Sequence, residues 1–363
     1  MGKLRVGIIG TGTISGIYLK NLTTVFSDRV ELVGCADIVP EKAEEAARDY
    51  GLERSFRSPQ ELIEDREIDL ILNLTIPAAH YEVCHSAVSA GKHTYVEKPL
   101  CIEVNEAKQL LSAAKKNNVR VGGAPDTFLG AGIQTCRKLI DDGWIGKPIG
   151  ATAFMMSHGH ESWHPAPEFY YKAGGGPMFD MGPYYLTALV NLVGPVDSVS
   201  GATRTTFKER LITSEPSRGT RITVDVPTHV TGTLEFQNGA VGTIITTFDV
   251  WGSDLPRIEI YGTEGSLSVP DPNGFGGTIK IKRAGSSDWS EVPFSHGHAE
   301  NSRGIGVAEM AEAIAEGRPH RASGELTAHV LEIMHGIHIA ADRRSNYKLT
   351  ERGVRPEALP QSF

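Results

Sequence analysis

Between residues 3 and 123, short apolar runs alternate with stretches of helical length, and this alternation constrains the fold more than any other feature of the chain. It is the pattern of βαβ units and a parallel sheet. Strands are expected at Leu4–Ile9, Val30–Ala36, Arg54–Phe56, Leu70–Leu74, His93–Val96 and Val119–Gly122. The first runs directly into Gly10-Thr11-Gly12-Thr13-Ile14-Ser15, where a helix opens. Gly10 suits the tight turn, and Gly12 lets the backbone approach a pyrophosphate held at the helix N-terminus, with Thr13 and Ile14 completing the loop. The third glycine of the usual pattern is replaced by Ser15, small enough for close helix packing.

Three further positions follow from strand ends, because ligands of open α/β sheets bind beyond the carboxyl ends of the strands. Asp37, just after the second strand, can accept hydrogen bonds from both hydroxyls of an adenosine ribose and would repel a 2′-phosphate. No arginine lies at Ile38, Val39 or Pro40, so the reading is NAD rather than NADP. Thr75, Pro77 and His80 lie in the turn after the fourth strand, with His80 either capping the next helix or touching the ligand. Glu97-Lys98-Pro99 closes the fifth strand, where Glu97 and Lys98 are expected to reach the cofactor, with Lys98 placed for chemistry on it. Helix signals fill the gaps: Ser58-Pro59-Gln60-Glu61 reads as a capping box with proline at the first helical position, and Gly91 reads as a helix C-terminus.

At 363 residues the chain exceeds one ordinary core, so two domains are expected, 1–124 and 125–363. A net charge of −8 disfavours nucleic acid and anionic membrane surfaces as partners and leaves a small molecule. No run approaches the roughly 18 apolar residues of a membrane span, and the N-terminus reads as a first strand rather than a signal peptide. Cys35, Cys84, Cys101 and Cys136 have no metal or disulfide spacing. They are expected to be reduced, mostly buried thiols of a cytoplasmic protein.

Beyond residue 124 the texture changes. A helix is expected at 131–142, a strand at 149–157, antiparallel strands over 196–283 with a hairpin at Asn238-Gly239, and helices at 305–316 and 325–342. The triplet Gly174-Gly175-Gly176 opens a helix at 177–192 and implies close approach of the backbone to another group. On that helix Asp180 and Tyr184 share one face. The loop from His158 to Tyr171 holds His160, Trp163 and His164, read as a wall against a sugar rather than a metal site. Asp126 lies where it reaches the nicotinamide end of the crevice or simply makes a turn.

Taken in order, the glycine loop, Thr75-Ile76-Pro77 with His80, Glu97-Lys98-Pro99, Gly174 to Tyr184 and Tyr261-Gly262-Thr263-Glu264-Gly265 make the chain resemble the Gfo/Idh/MocA family of nicotinamide-dependent oxidoreductases over essentially its whole length. The resemblance implies an α/β protein: a doubly wound Rossmann domain, then an α+β domain with a large open, mainly antiparallel sheet, assembled as a homodimer or homotetramer. It implies that Lys98 contacts substrate and cofactor, that Asp180 orients the substrate, and that position 184 holds the acid/base. Many sugar and inositol dehydrogenases of the family have histidine there. Tyr184 is chemically competent, because a neighbouring ammonium lowers a phenol's pKa from about 10. The expected reaction is hydride transfer between NAD and a secondary alcohol of a sugar or cyclitol, with Tyr184 removing the hydroxyl proton and Lys98 polarising the oxygen. Lys98 as proton acceptor is the alternative. Two other classes fit the same fold: a glycoside hydrolase that uses NAD transiently, and a cofactor-binding sensor without catalysis.

Overall fold

The computed structural model describes residues 2–363. Its first sheet holds six parallel strands, β1 (Leu4–Ile9), β2 (Val30–Ala36), β3 (Arg54–Phe56), β4 (Leu70–Asn73), β5 (His93–Val96) and β6 (Val121–Gly123), in the order β3-β2-β1-β4-β5-β6. Helices α1 (Ser15–Thr23), α2 (Pro40–Tyr50), α3 (Pro59–Glu64), α4 (His80–Ser89) and α5 (Val104–Lys116) connect them. All four residues of β4 are buried, as a strand covered on both faces of a parallel sheet requires. Ile9, Val33, Ala36, Phe56, Leu62 and Ile71 form one core layer between sheet and helices. At α3 the Ser58 hydroxyl accepts from the Glu61 amide, while the Glu61 carboxylate reaches back to the Arg57 amide, one residue earlier than a regular capping box. The strand order reverses between β1 and β4, and the switch point there is where doubly wound sheets bind ligands.

The second sheet has nine strands in the order β16-β15-β14-β13-β7-β12-β11-β8-β17. They are β7 (Pro148–Met156), β8 (Val196–Arg204), β11 (His229–Phe236), β12 (Val241–Thr247), β13 (Ile258–Gly262), β14 (Gly265–Val269), β15 (Ile279–Arg283), β16 (Ser290–Val292) and β17 (Tyr347–Lys348); β9 (Glu209–Leu211) and β10 (Arg221–Thr223) form a separate ribbon. Neighbours are antiparallel except β7 and β12, which run parallel. The hairpin at Asn238-Gly239 joins β11 and β12, with Gly239 at φ +88°, in the left-handed region that favours glycine. Helix α6 (Ala131–Asp141) precedes this sheet, and α7 (Pro177–Leu192) packs on β7, β11 and β12. Tyr185, Leu186 and Leu189 of α7 are fully buried, each worth about 1.5–3 kcal/mol of removed apolar surface.

Helices α8 (Ile305–Glu316) and α9 (Gly324–Arg343) end the helical series. The chain divides into two compact units, one running to Leu129 and including Asn301–Ala328, the other comprising Gly130–Glu300 and His329–Phe363. A division at residue 124 therefore differs from the observed one in assigning 125–129 and 301–328 to the second domain. Gly122 of β6 makes an antiparallel bridge to Ser323. Glu309, fully buried on α8, receives Arg318, the Arg321 guanidinium and the Arg321 amide. These bonds fold the segment into its own corner of the first unit. None of the described helices is long and apolar enough to cross a membrane.

Candidate active site

In the first unit the glycine loop is fixed from two sides. The Gly10 amide donates to Ala36 O at the end of β2 (2.9 Å), and a Cβ on Gly10 would lie 2.8 Å from the Leu74 carbonyl after β4. With φ at +97° as well, Gly10 answers to the fold. Gly12 differs: it is exposed, and a Cβ there would meet nothing within 4 Å. No internal packing requires a glycine at that point, whereas a dinucleotide approaching the backbone does. Beside it Thr13 is exposed and Ile14 half-buried, and Ile14, at the N-cap of α1, makes no side-chain cap. Ser15 is buried, its hydroxyl donating to Gly12 O at 2.7 Å.

Asp37 is half-buried beside the same loop. Its Oδ2 accepts from the Thr11 amide (2.8 Å) and hydroxyl (3.1 Å), and its Oδ1 from the Val39 amide (3.0 Å). Burial opposes its charge, but these donors and Lys42 outweigh burial and hold the carboxyl below its usual range. The carboxylate is thus ionised and oriented, the state in which ribose hydroxyls can donate to it. These residues fit NAD.

Three expectations are corrected here. His80 is fully buried, with Nδ1 2.6 Å from Pro99 O and Nε2 3.1 Å from Thr75 O. Burial pushes its pKa down despite the two carbonyls. Its ring ties the turn after β4 to the turn after β5 and is closed to a cofactor. The Glu97 side chain is turned inward likewise, Oε1 accepting from Tyr18 of α1 and Oε2 from the Lys98 amide, both at 2.8 Å. Asp126 is buried, and its Oδ2 accepts from the Gly304 and Gly306 amides at the start of α8 (2.8 and 3.1 Å). It holds a helix terminus, and burial raises its pKa to about 6. Lys98 alone of its tripeptide is not buried. Thr75 is half-buried, its hydroxyl donating to Asn73 Oδ1 at 2.6 Å, and Pro77 is exposed. Asn73, which the sequence reading passed over, also bonds His80 O (3.2 Å) and so organises this turn; an amide in the apolar strand Leu70–Leu74 was its only signal.

In the second unit Asp180 and Tyr184 lie one turn apart on α7, in a helix where Tyr184 is buried and the Asp180 side chain is 12% exposed. The glycine triplet has an internal reason: a Cβ on Gly175 would lie 2.5 Å from Phe169 O and 2.7 Å from Tyr170 O. The close approach is to the chain's own aromatic loop. From that loop His160 brings Nε2 to 3.4 Å from Asp180 Oδ2, while its ring stacks on Tyr170 at 3.7 Å and meets the edge of Phe248 at 4.7 Å. Trp163 is 63% exposed. His164 is half-buried, its Nδ1 accepting from the Ala166 amide at 3.0 Å. His158 faces elsewhere, stacked on Trp251.

A buried charge cluster holds the loop, and the sequence reading missed it. Arg210 of β9 donates to Glu161 (2.9 Å), to Asp249 and to Phe248 O (2.8 Å), and Tyr171 donates to Glu161. The Glu161 carbonyl accepts from the Thr213 and Ser214 amides. Among the described residues no three His, Cys, Asp or Glu side chains are grouped to hold a metal ion.

Residues 4–123 match the NAD-binding Rossmann fold of an oxidoreductase family, GFO/IDH/MocA, and residues 133–268 match the C-terminal domain of the same family. The myo-inositol 2-dehydrogenase of Thermotoga maritima is 26% identical over 266 residues, 73% of this chain and 74% of that enzyme. The NAD-dependent scyllo-inositol 2-dehydrogenase of Bacillus subtilis is 27% identical over 87% of each chain. A solved structure of levoglucosan dehydrogenase in complex with NADH superposes with a TM-score of 0.83 at 24% identity, covering 96% of this chain and all of that one.

Proposed function

Because the chain belongs to the GFO/IDH/MocA family of oxidoreductases, we propose that it interconverts a secondary alcohol and a ketone on a sugar or cyclitol, using NAD. The observation that carries the cofactor is the pairing of Gly12, whose missing side chain the fold does not require, with an ionised and oriented Asp37. The inositol dehydrogenases among its relatives support the substrate class. Bound NAD supplies an acceptor for the hydride leaving the carbinol carbon. Gly10, Gly12, Thr13 and Ile14 bind its pyrophosphate, Asp37 binds the adenosine ribose, and the Thr75 to Pro77 turn lines the crevice.

The chain's own residues handle the proton and the orientation. Tyr184 takes the hydroxyl proton as the C–H bond breaks, and Lys98 stabilises negative charge developing on that oxygen. Asp180 accepts a hydrogen bond from the substrate and fixes which hydroxyl is presented, and Trp163 and His164 wall the ring. Four free, buried cysteines support a reducing, cytoplasmic setting, and a homodimer or homotetramer is the proposed assembly.

The test is a panel of myo-inositol, scyllo-inositol and levoglucosan followed by NADH absorbance, with Lys98→Ala as the blank. NADH formation on one of these, lost in the blank, is expected. NAD binding without turnover on the whole panel would overturn the assignment. Single-turnover hydride transfer in Tyr184→Phe then separates the two proton acceptors: unchanged chemistry would transfer that role to Lys98.

A further inference from the structure

His160 and Asp180 come from different elements of the second unit, a loop and a helix 20 positions on, and meet with both side chains nearly sealed, 10% and 12% exposed. The imidazole is not simply filling space. Its ring lies flat on Tyr170, with an interplanar angle of 8°, and against the edge of Phe248 at 84°, so its orientation is fixed on two sides. Of its two nitrogens, Nδ1 is buried without a hydrogen-bond partner, and Nε2 is the one that faces the carboxylate. Of the two, Nε2 is the nitrogen whose N–H has an acceptor in reach.

Behind the ring the backbone is held as firmly. Glu161, next in the chain, is locked to Arg210 and Tyr171, and the Ser214 hydroxyl donates to His164 O at 2.6 Å. The His160 amide itself points at the Tyr171 hydroxyl at 3.4 Å. A loop clamped to this degree places one nitrogen at one carboxylate oxygen, 3.4 Å away.

We propose that His160 is the positioning residue of Asp180: the Nε2–H holds carboxylate Oδ2 and so fixes the orientation in which the carboxylate meets the substrate. The inference rests on the reading of Asp180 as the group that orients the substrate. It gives His160 a role different from the direct substrate contact expected of it, since a ring sealed between Tyr170 and Phe248 acts through its neighbour.

Two substitutions separate donor from packing. His160→Phe keeps an aromatic ring on Tyr170 and removes the N–H, whereas His160→Gln restores an amide N–H near the Nε2 position. On whichever panel substrate the wild type turns over, His160→Phe is expected to lower kcat about tenfold or more while the KM for NAD stays within about twofold, since the cofactor residues belong to the first unit. His160→Gln is expected to recover most of that loss. Equal impairment of the two variants, or an unimpaired His160→Phe, overturns the proposal. A second measurement needs no substrate. In a thermal double-mutant cycle of His160→Phe and Asp180→Asn, a linked pair gives a double variant whose midpoint loss falls short of the summed single losses by about 2 °C or more. Additive losses overturn the proposal. If the wild type is inactive on the whole panel, the functional reading fails and this cycle alone decides the positioning claim.

Discussion

Replacing Arg210 by Met gives a measurable account of how the aromatic loop is held. The guanidinium is 4% exposed and neutralises Glu161 and Asp249, whose side chains are 9% and 6% exposed. Removing one partner of a buried ion pair costs about 3–5 kcal/mol, because the remaining charge is left unpaired in a poor solvent. Two features place this case near the lower figure. Each carboxylate keeps another donor, Tyr171 on Glu161 and Thr228 on Asp249. The Arg210 Nε is buried without a partner, so the methionine loses nothing there. A loss of about 3 kcal/mol corresponds to a fall in Tm of roughly 6–12 °C for a unit of this size. The assay is built into the chain: Trp144, Trp163, Trp251 and Trp289 all lie in the second unit, so tryptophan emission follows that unit alone. A fall below about 2 °C in Arg210→Met would refute the reasoning, since the cluster would then be contributing no more than an exposed ion pair. The combination Arg210→Met, Glu161→Gln and Asp249→Asn should regain part of the loss, because it removes the stranded charges too.

The two loop glycines should separate in the same way. Gly12→Ala is expected to leave the unfolding midpoint unchanged and raise the KM for NAD tenfold or more, while Gly10→Ala, at φ +97° against the Leu74 backbone, destabilises by about 1–3 kcal/mol; parallel measurements of Tm and NAD kinetics distinguish them. Asp37→Ser is predicted to narrow the preference for NAD over NADP in kcat/KM by tenfold or more, and an unchanged ratio would remove Asp37 from ribose recognition. Two buried groups respond to pH with opposite sign. Asp126, at about 6 in the folded chain against roughly 3.9 unfolded, contributes stability below pH 4 that is lost as pH rises through 6, up to about 3 kcal/mol. Asp126→Asn should flatten that dependence in amide exchange of α8. His329 is buried and accepts the Val196 amide on Nε2 at 3.1 Å, and burial lowers its pKa to about 4. Its contribution is present above the ordinary value of roughly 6.5 and disappears as pH falls toward 4. Tryptophan-monitored urea melts between pH 7 and 4 test this, and His329→Asn should reduce the slope.

Much of the architecture was legible because its causes are local. Alternation of apolar runs and helices located the six parallel strands, and Asn238-Gly239 located the hairpin between β11 and β12. The glycine loop and its neighbour Asp37 were legible too, since Gly10, Gly12 and Asp37 sit at strand ends where chain direction alone sets their neighbourhood. What escaped was side-chain direction and distant pairing. His80, Glu97 and Asp126 are polar residues in promising turns, but whether such a group faces the crevice or the interior depends on partners such as Pro99, Tyr18 and Gly304, the last 178 positions from Asp126. Arg210 finds Glu161 and Asp249 at separations of 49 and 39, beyond any period of helix or strand. The parallel pairing of β7 with β12 inside an otherwise antiparallel sheet is equally non-local, because alternation reports which face is buried and is silent about direction.

The return of Asn301–Ala328 to the first unit has a consequence for the order in which the protein is made. Domains fold as units during synthesis, N-terminal ones first. Here the first unit lacks Gly304 and Gly306 for Asp126, and Ser323 for the edge of β6, until the chain has been made past residue 323. Residues 130–300 leave the ribosome while that unit is still incomplete, so the nucleotide-binding unit closes only after the intervening 171 residues have been made. A nascent chain arrested before residue 301 is therefore expected to hold an exposed β6 edge, and protection of the Gly123 amide, which donates to Ala322 O, should appear only once Ala322 has emerged.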